Sequence, residues 1–187
     1  MDEYLFVEKY RPHNVEECIL PDRIKKVFQE YVNDGNIPNL MLTGPAGCGK
    51  TTIAKAMCEQ LGLNHLFINS SEERGIDVLR TKIKGYASTV SLTGGRKVII
   101  LDEADYLTPE AQAGLRGAIE EFSENCSFIF TCNFKARLLD ALHSRCAVVD
   151  FSLKGDEKPK MASKMFKRLE QILTTEGITY DKAVLVK

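Results

Sequence analysis

The stretch Gly44-Pro45-Ala46-Gly47-Cys48-Gly49-Lys50-Thr51 fits the pattern G-x-x-x-x-G-K-[ST] at every fixed position. It limits the fold tightly, because such a loop works only where a buried strand turns directly into a helix. Both neighbours fit. Asn39 to Thr43 is a short apolar run suited to a buried parallel strand. From Thr51 to Leu61, the residues Ile53, Ala54, Met57 and Leu61 recur at helical spacing. Glycines let backbone N–H groups curl around phosphate oxygens. Lys50 supplies a point charge for β- and γ-phosphates, and the Thr51 hydroxyl is a ligand for Mg²⁺. A helix N-terminus adds its dipole to the anion site.

Strand and helix patterns keep alternating after the loop. His65 to Asn69 reads as a strand, and Asp77 to Ser88 as a helix with Leu79, Ile83 and Tyr86 facing inward. Lys97 to Asp102 is an apolar strand ending in an acid. Pro109 to Phe122 is a helix with Ala111, Leu115, Ile119 and Phe122 inward and Pro109 near its first turn. Ser127 to Cys132 and Ala147 to Phe151 complete the strands. The expected fold is α/β, a three-layer sandwich with a parallel five-stranded sheet covered on both faces. Gly155, Asp156 and Pro159 interrupt the pattern near Leu153 to Pro159. Beyond them, Lys160 to Thr175 is an amphipathic helix carrying Met165, Phe166, Leu169, Ile172 and Leu173. Gly177 ends it, and Tyr180 to Lys187 reads as the start of another helix. The expected division is a nucleotide-binding domain over residues 1–153 and the beginning of a small helical domain over 154–187.

Composition sets the outer bounds. The chain has 187 residues, 44% hydrophobic and 27% charged, with a net charge of −1. A globally basic nucleic-acid binder is excluded, so any DNA contact must be a local patch. No apolar run approaches the roughly 20 residues of a membrane span. Met1 to Glu8 carry acids and no cleavable apolar core, which argues against a secretory signal. The cysteines Cys18, Cys48, Cys58, Cys126, Cys132 and Cys146 form no C-x-x-C pair, which argues against zinc. Several sit in apolar runs, as small buried hydrophobes in a reducing interior do.

Asp102-Glu103 is the second decisive feature. A carboxylate at the C-terminal edge of a buried strand holds Mg²⁺ directly or through water. Its neighbour Glu103 is placed to orient or deprotonate an attacking water. Asn133 ends the next strand, where a side-chain amide could fix that water against a γ-phosphate.

The phosphate loop together with Asp102-Glu103-Ala104-Asp105 resembles the AAA+ ATPases. Three more segments are similar to clamp-loader small subunits of the replication factor C type. They are Val7-Glu8-Lys9-Tyr10-Arg11-Pro12, Ser71 to Arg80, and Ser144-Arg145-Cys146. Glu16 to Pro21 and the short N-terminus most resemble the large clamp-loader subunit of T4-type bacteriophages. The resemblance runs from about Phe6 to Phe151. It implies ATP and Mg²⁺ as cofactors, with Gly44 and Gly47 to Thr52 (Cys48, Gly49, Lys50, Thr51) on the phosphates. Val7, Glu8, Lys9, Tyr10, Arg11 and Ile19 would cover adenine and ribose, on a backbone expected to be extended around Pro12. Asp102 and Glu103 would serve metal and water, and Asn133 would sense the γ-phosphate. Arg145 resembles an arginine finger that completes the neighbouring subunit's site, so an isolated subunit is expected to be a poor ATPase.

Arg80 and Lys84 lie one turn apart on the Asp77–Ser88 helix, away from its apolar stripe. The helix N-terminus at Gly75-Ile76-Asp77, with Asp77 expected as cap, offers free N–H groups. Both features suit DNA phosphate contacts, and in the resembled family such a helix tracks primer–template DNA. Gln112 and Arg116, also one turn apart, could couple the ATP and DNA sites. Gly117 stands where the family often has a second basic residue. The resemblance implies partners: a sliding clamp, primer–template DNA and other clamp-loader subunits, pentameric when full length. It implies a cytoplasmic setting, that of the host if the protein is viral. The family's lid arginine and C-terminal oligomerisation domain are not found, so a shortened chain is expected. Two other readings stay open: another AAA+ DNA motor of branch-migration or initiator type, and a scaffold that binds nucleotide without hydrolysing it.

Overall fold

The computed structural model describes residues 5–89 and 96–181. In chain order the elements are α1 (Phe6–Lys9), α2 (Asp22–Asn33), β1 (Leu40–Thr43), α3 (Lys50–Gln60), β2 (His65–Asn69), α4 (Ile76–Ala87) and β3 (Lys97–Asp102). They continue with α5 (Pro109–Glu121), β4 (Cys126–Cys132), α6 (Asp140–His143), β5 (Ala147–Asp150) and α7 (Glu157–Thr175). The strands form one five-stranded sheet in the order β2-β3-β4-β1-β5. Every pairing is parallel.

Strand side chains alternate between two faces, and both faces are covered. Met41, Ile99, Leu101, Phe128 and Phe130 share one core with Leu79 and Ile83 of α4 and Ala111, Leu115 and Ile119 of α5. Leu40, Leu42, Val98, Ile100 and Ile129 share the other with Ile24 and Phe28 of α2 and Ile53, Ala54 and Met57 of α3. The result is the expected three-layer α/β sandwich. All six cysteines are free thiols. Burial pushes Cys18, Cys58 and Cys146 up to about 12.

Several boundaries differ from expectation. The motif reading assigns no element to residues 22–33, yet α2 stands there; Ile24, Phe28 and Tyr31 carry the helical spacing that signals it. Phe28 is fully buried and packs against Phe151 at 5.9 Å between ring centroids. α1 replaces an extended backbone before Pro12, since Phe6–Lys9 form a helical turn. Gly75, not Asp77, is the N-cap of α4; Asp77 sits in its first turn. α7 begins at Glu157, so Pro159 lies within its first turn, where its missing N–H has no helical partner to lose. Tyr180 and Asp181 have no regular structure, and the rest of the helix expected there lies outside the described residues. Among the described residues no helix is long and apolar enough to cross a membrane.

The parallel register gathers one end of the strands. Thr43 lies opposite Cys132 and Asp150, and Asn69 opposite Asp102. The segments after β1, β3 and β4 therefore leave from one sheet edge, the usual ligand side of an open α/β sheet. Replacing Phe28 by Ala should cost about 3–5 kcal/mol of stability, read as a lower urea midpoint at unchanged slope. A loss below 1 kcal/mol would mean that α2 is not anchored as described.

Candidate nucleotide-binding site

β1 delivers the chain to Gly44 at φ 145°, where an added Cβ would lie 2.9 Å from Phe151 Cβ. Only glycine allows the first strand and the end of the sheet's edge strand to approach so closely. Gly49, at φ 91°, is the left-handed N-cap from which α3 starts. Lys50 opens that helix and is 7% exposed. Its Nζ donates to Gly44 O and Pro45 O at 2.8 Å each and to Asn133 Oδ1 at 2.9 Å. A buried ammonium is thus fully hydrogen-bonded between the loop and the end of β4.

Thr51 Oγ1 donates to Asp102 Oδ1 at 2.5 Å, and Thr131 Oγ1 donates to the same oxygen at 2.7 Å. The Glu103 N–H in turn donates to Thr131 Oγ1 at 3.0 Å. Glu103 has φ 53°, and it is the non-glycine residue with positive φ among the described residues. That conformation costs about 1–2 kcal/mol, and such strain clusters at functional sites. Two residues missed by sequence reasoning support the site. Thr131, 2% exposed, bridges Asp102 and Glu103. Asp105, 6% exposed, accepts from Asn133 N and Phe134 N at 3.3 Å each. The signal of Thr131 was polarity within an apolar strand, whereas Asp105 stood in the Asp102–Asp105 motif without a role of its own.

A cavity of about 970 Å³ opens over the loop. Gly47, Cys48, Gly49, Thr51 and Thr52 line its floor. Val7, Tyr10, Arg11 and Ile19 form one wall, and Met165, Arg168 and Ile172 of α7 line it too. Arg168 was not singled out from the sequence; its place on the cavity comes from the packing of α7. Glu8 and Lys9 are not lining residues: Glu8 pairs with Arg11 and Lys9 with Glu176, each at 2.5 Å. Lys55 also reaches the cavity, its ammonium 3.9 Å from the centre of the Phe67 ring. Burial, then the Arg11 charge, lowers its pKa.

The remaining candidates lie elsewhere. Arg145 donates Nε and Nη2 to Glu120 Oε1 at 3.0 and 2.5 Å, and Nη1 to Ala141 O at 2.7 Å. This pairing holds the Glu120 carboxyl below the usual range. Arg145 precedes β5, whose first residue Ala147 lies opposite Leu40, the start of β1. It therefore stands toward the edge of the sheet opposite the phosphate loop. Arg80 and Lys84 are exposed on α4, and among the described residues neither side chain has a hydrogen-bond or ion-pair partner. Ile76 opens α4 and packs against Gly114, where a Cβ would meet it at 2.1 Å. Gln112 is 3% exposed and ties Leu107 O, Arg137 O and Leu139 N together. Arg116 is exposed, 3.8 Å from Glu120.

The donor set fits a magnesium triphosphate. Thr51 and Asp102 offer hard oxygens side by side, and Lys50 lies at the loop. No group of three or more His, Cys, Asp or Glu gathers among the described residues. Two hard oxygens side by side are what Mg²⁺ takes from a protein when phosphates and water complete its shell.

Strand, glycine loop and helix, with an acid closing the neighbouring strand and an amide beyond it, define a phosphate-loop nucleotide-binding domain. Residues 40–152 match the family model described as "ATPase family associated with various cellular activities (AAA)", and the chain belongs to that family. It is similar to the replication factor C small subunit of Thermofilum pendens, 41% identical over 191 residues, covering 99% of this chain and 57% of the relative. That of Archaeoglobus fulgidus is 42% identical over 180 residues, covering 93% and 54%. The chain spans about half the length of the curated relatives it matches. Among solved structures, the Thermotoga maritima RuvB Holliday junction branch migration motor has a TM-score of 0.72 at 20% identity, covering 94% of this chain and 58% of that one. At that identity it supports the fold alone.

Thr131→Val should cost about 1–3 kcal/mol, because the Glu103 N–H and Asp102 both lose a partner at a buried position. Urea unfolding of the two proteins checks this; equal midpoints would deny Thr131 a bridging role.

Proposed function

We propose that the chain is the ATP-binding part of a sliding-clamp loader subunit, organised as a nucleotide-binding domain over residues 1–153 and the first part of a helical lid over 154–187. One observation carries this reading beyond nucleotide binding. Arg145 stands at the sheet edge away from its own phosphate loop, held by Glu120, which supports a role at a site on another subunit. Similarity to replication factor C small subunits supports the same reading.

In this proposal Gly44 to Thr52 bind the phosphates and Lys50 neutralises their charge. Val7, Tyr10, Arg11 and Ile19 enclose the base and ribose. Thr51 and Asp102 would hold Mg²⁺, which when bound would supply electrophilic stabilisation of the phosphoryl oxygens. Glu103 accepts the proton of the attacking water. Asn133, oriented by Asp105, reports the γ-phosphate by exchanging its contact with Lys50. Buried Gln112 links α5 to the segment before α6, the segment that leads to Arg145. It thus joins the helix carrying Arg116 to the finger. Arg80 and Lys84, exposed on α4, contact DNA phosphates without reading sequence.

ATPase assays on the assembled complex, with and without sliding clamp and primed DNA, test this. Both additions should stimulate hydrolysis; no stimulation by either would overturn the clamp-loader reading. Arg145→Ala should lower turnover by about 10³- to 10⁵-fold while leaving ATP affinity at the variant's own loop intact. Unchanged turnover would remove Arg145 from the chemistry. Arg80→Ala with Lys84→Ala should weaken DNA binding and lower its salt slope by about 2. An unchanged slope would mean that α4 does not touch the DNA backbone.

A further inference from the structure

α7 has no fully buried residue, though Met161, Phe166 and Ile172 are half-buried along it, and polar contacts fasten it on both sides of that stretch. Near its start, Glu157 pairs with Arg23 at 2.8 Å and Lys164 with Asp22 at 2.7 Å, both on α2. At its far end stands Glu176, the C-cap residue. Lys9 Nζ lies 2.5 Å from Glu176 Oε1, and the Tyr10 hydroxyl donates to that same oxygen. Phe6 meets the Tyr10 ring edge-on at 6.1 Å, and the Lys9 ammonium lies 5.5 Å from that ring's centre.

This contact joins two walls of the cavity. Phe6, Val7, Tyr10 and Arg11 line it from the N-terminal segment, and Met165, Arg168 and Ile172 from α7. Glu176 follows Ile172 by one helical turn. The N-terminal segment has little else to hold it, with Leu5 73% and Val7 74% exposed. Among the described residues, Lys9 and Tyr10 make the hydrogen bonds and ion pair that tie side chains 5–11 to another element; the Arg11–Glu8 pair stays within the segment. Two donors on one carboxylate hold the Glu176 pKa down, with the Lys9 hydrogen bond the larger cause.

We propose that Glu176, gripped by Lys9 and Tyr10, is a latch that fastens the N-terminal segment to the end of α7 over the cavity, and that it sets how fast a bound nucleoside triphosphate leaves. This rests on the nucleotide reading of that cavity. The latch closes behind the ligand without touching its phosphates. Its loss speeds release while leaving the loop's own contacts in place. Lys9 and Glu176 are positioning residues, acting through the segment that covers the ligand, while Tyr10 also lines the cavity itself.

The test uses the full chain with ATP carrying a fluorescent ribose label and Mg²⁺, chased by excess unlabelled ATP in a stopped-flow instrument. Glu176→Gln should speed release about three- to tenfold, with association changed less than twofold. Tyr10→Phe should give a smaller increase. Tyr10→Phe added to Glu176→Gln should add less than it does alone, because both act on one contact. Exchanging the charges, Lys9→Glu with Glu176→Lys, should restore part of the slow release. A release rate unchanged in Glu176→Gln, or a loss of affinity carried wholly by slower association, would overturn the latch while leaving nucleotide binding intact. A parent chain that binds no labelled ATP would overturn both the nucleotide reading and the latch. Matching melting curves for parent and variants would show that a changed rate is not partial unfolding.

Discussion

One carboxylate oxygen of Asp102 accepts hydrogen bonds from both Thr51 and Thr131, and the geometry of the site follows from that junction. Asp102 closes β3, Thr51 lies in the first turn of α3, and Thr131 is near the end of β4. β3 and β1 are not neighbours in the sheet, because β4 runs between them. The junction therefore spans strands that backbone pairing does not connect. It sets the helix below the phosphate loop against the acid that would share its metal. Through Thr131 it also holds the Glu103 N–H, and with it the left-handed turn that carries the proposed base. A charge-assisted hydrogen bond is short and directional, so a methyl group in place of either hydroxyl loses alignment as well as energy.

Around this junction the parallel topology does the rest of the placement. The segments after β1, β3 and β4 leave from one edge, which brings Lys50, Asp102 and Asn133 together from positions far apart in the chain. Asp105 fastens the backbone after β4 through two N–H groups. The return path through α6 carries Arg145 to the opposite edge. The phosphate loop thus lies at one end of the sheet and Arg145 toward the other, the arrangement on which the proposed role of Arg145 at a neighbouring subunit's site rests. The cavity has a second dependence, on α7 and the N-terminal segment. Neither is buried, and the two meet at Glu176.

Much of the architecture is legible in the sequence because its causes are local. Uninterrupted apolar runs reveal strands buried on both faces. The spacing of Leu79 and Ile83, or of Ala111, Leu115 and Ile119, reveals which helix faces meet the sheet. The phosphate loop announces itself because only glycine tolerates its backbone. α2 carries an equally local signal in Ile24, Phe28 and Tyr31, though no chemistry draws the eye to it. Pro159 misleads, since proline breaks a helix interior but suits a first turn. Gln112 and Arg116 look alike as a polar pair one turn apart. Packing separates them, burying Gln112 among carbonyls and leaving Arg116 at the surface.

By itself the sequence determined the alternation of strands and helices, the identity of the phosphate loop and the residue types able to handle a magnesium triphosphate. All of these rest on periodicity and backbone chemistry within a few residues. Only the tertiary structure decided that β4 lies between β1 and β3, that Thr131 and Asp105 brace the site, that Arg145 faces away from its own loop, and that Lys9 and Tyr10 meet Glu176. The physical reason is distance along the chain. A hydrogen bond between residues of different elements, 28 positions apart for Asp105 and Asn133 and 167 for Lys9 and Glu176, leaves no local pattern, and forms only once packing has brought the elements together.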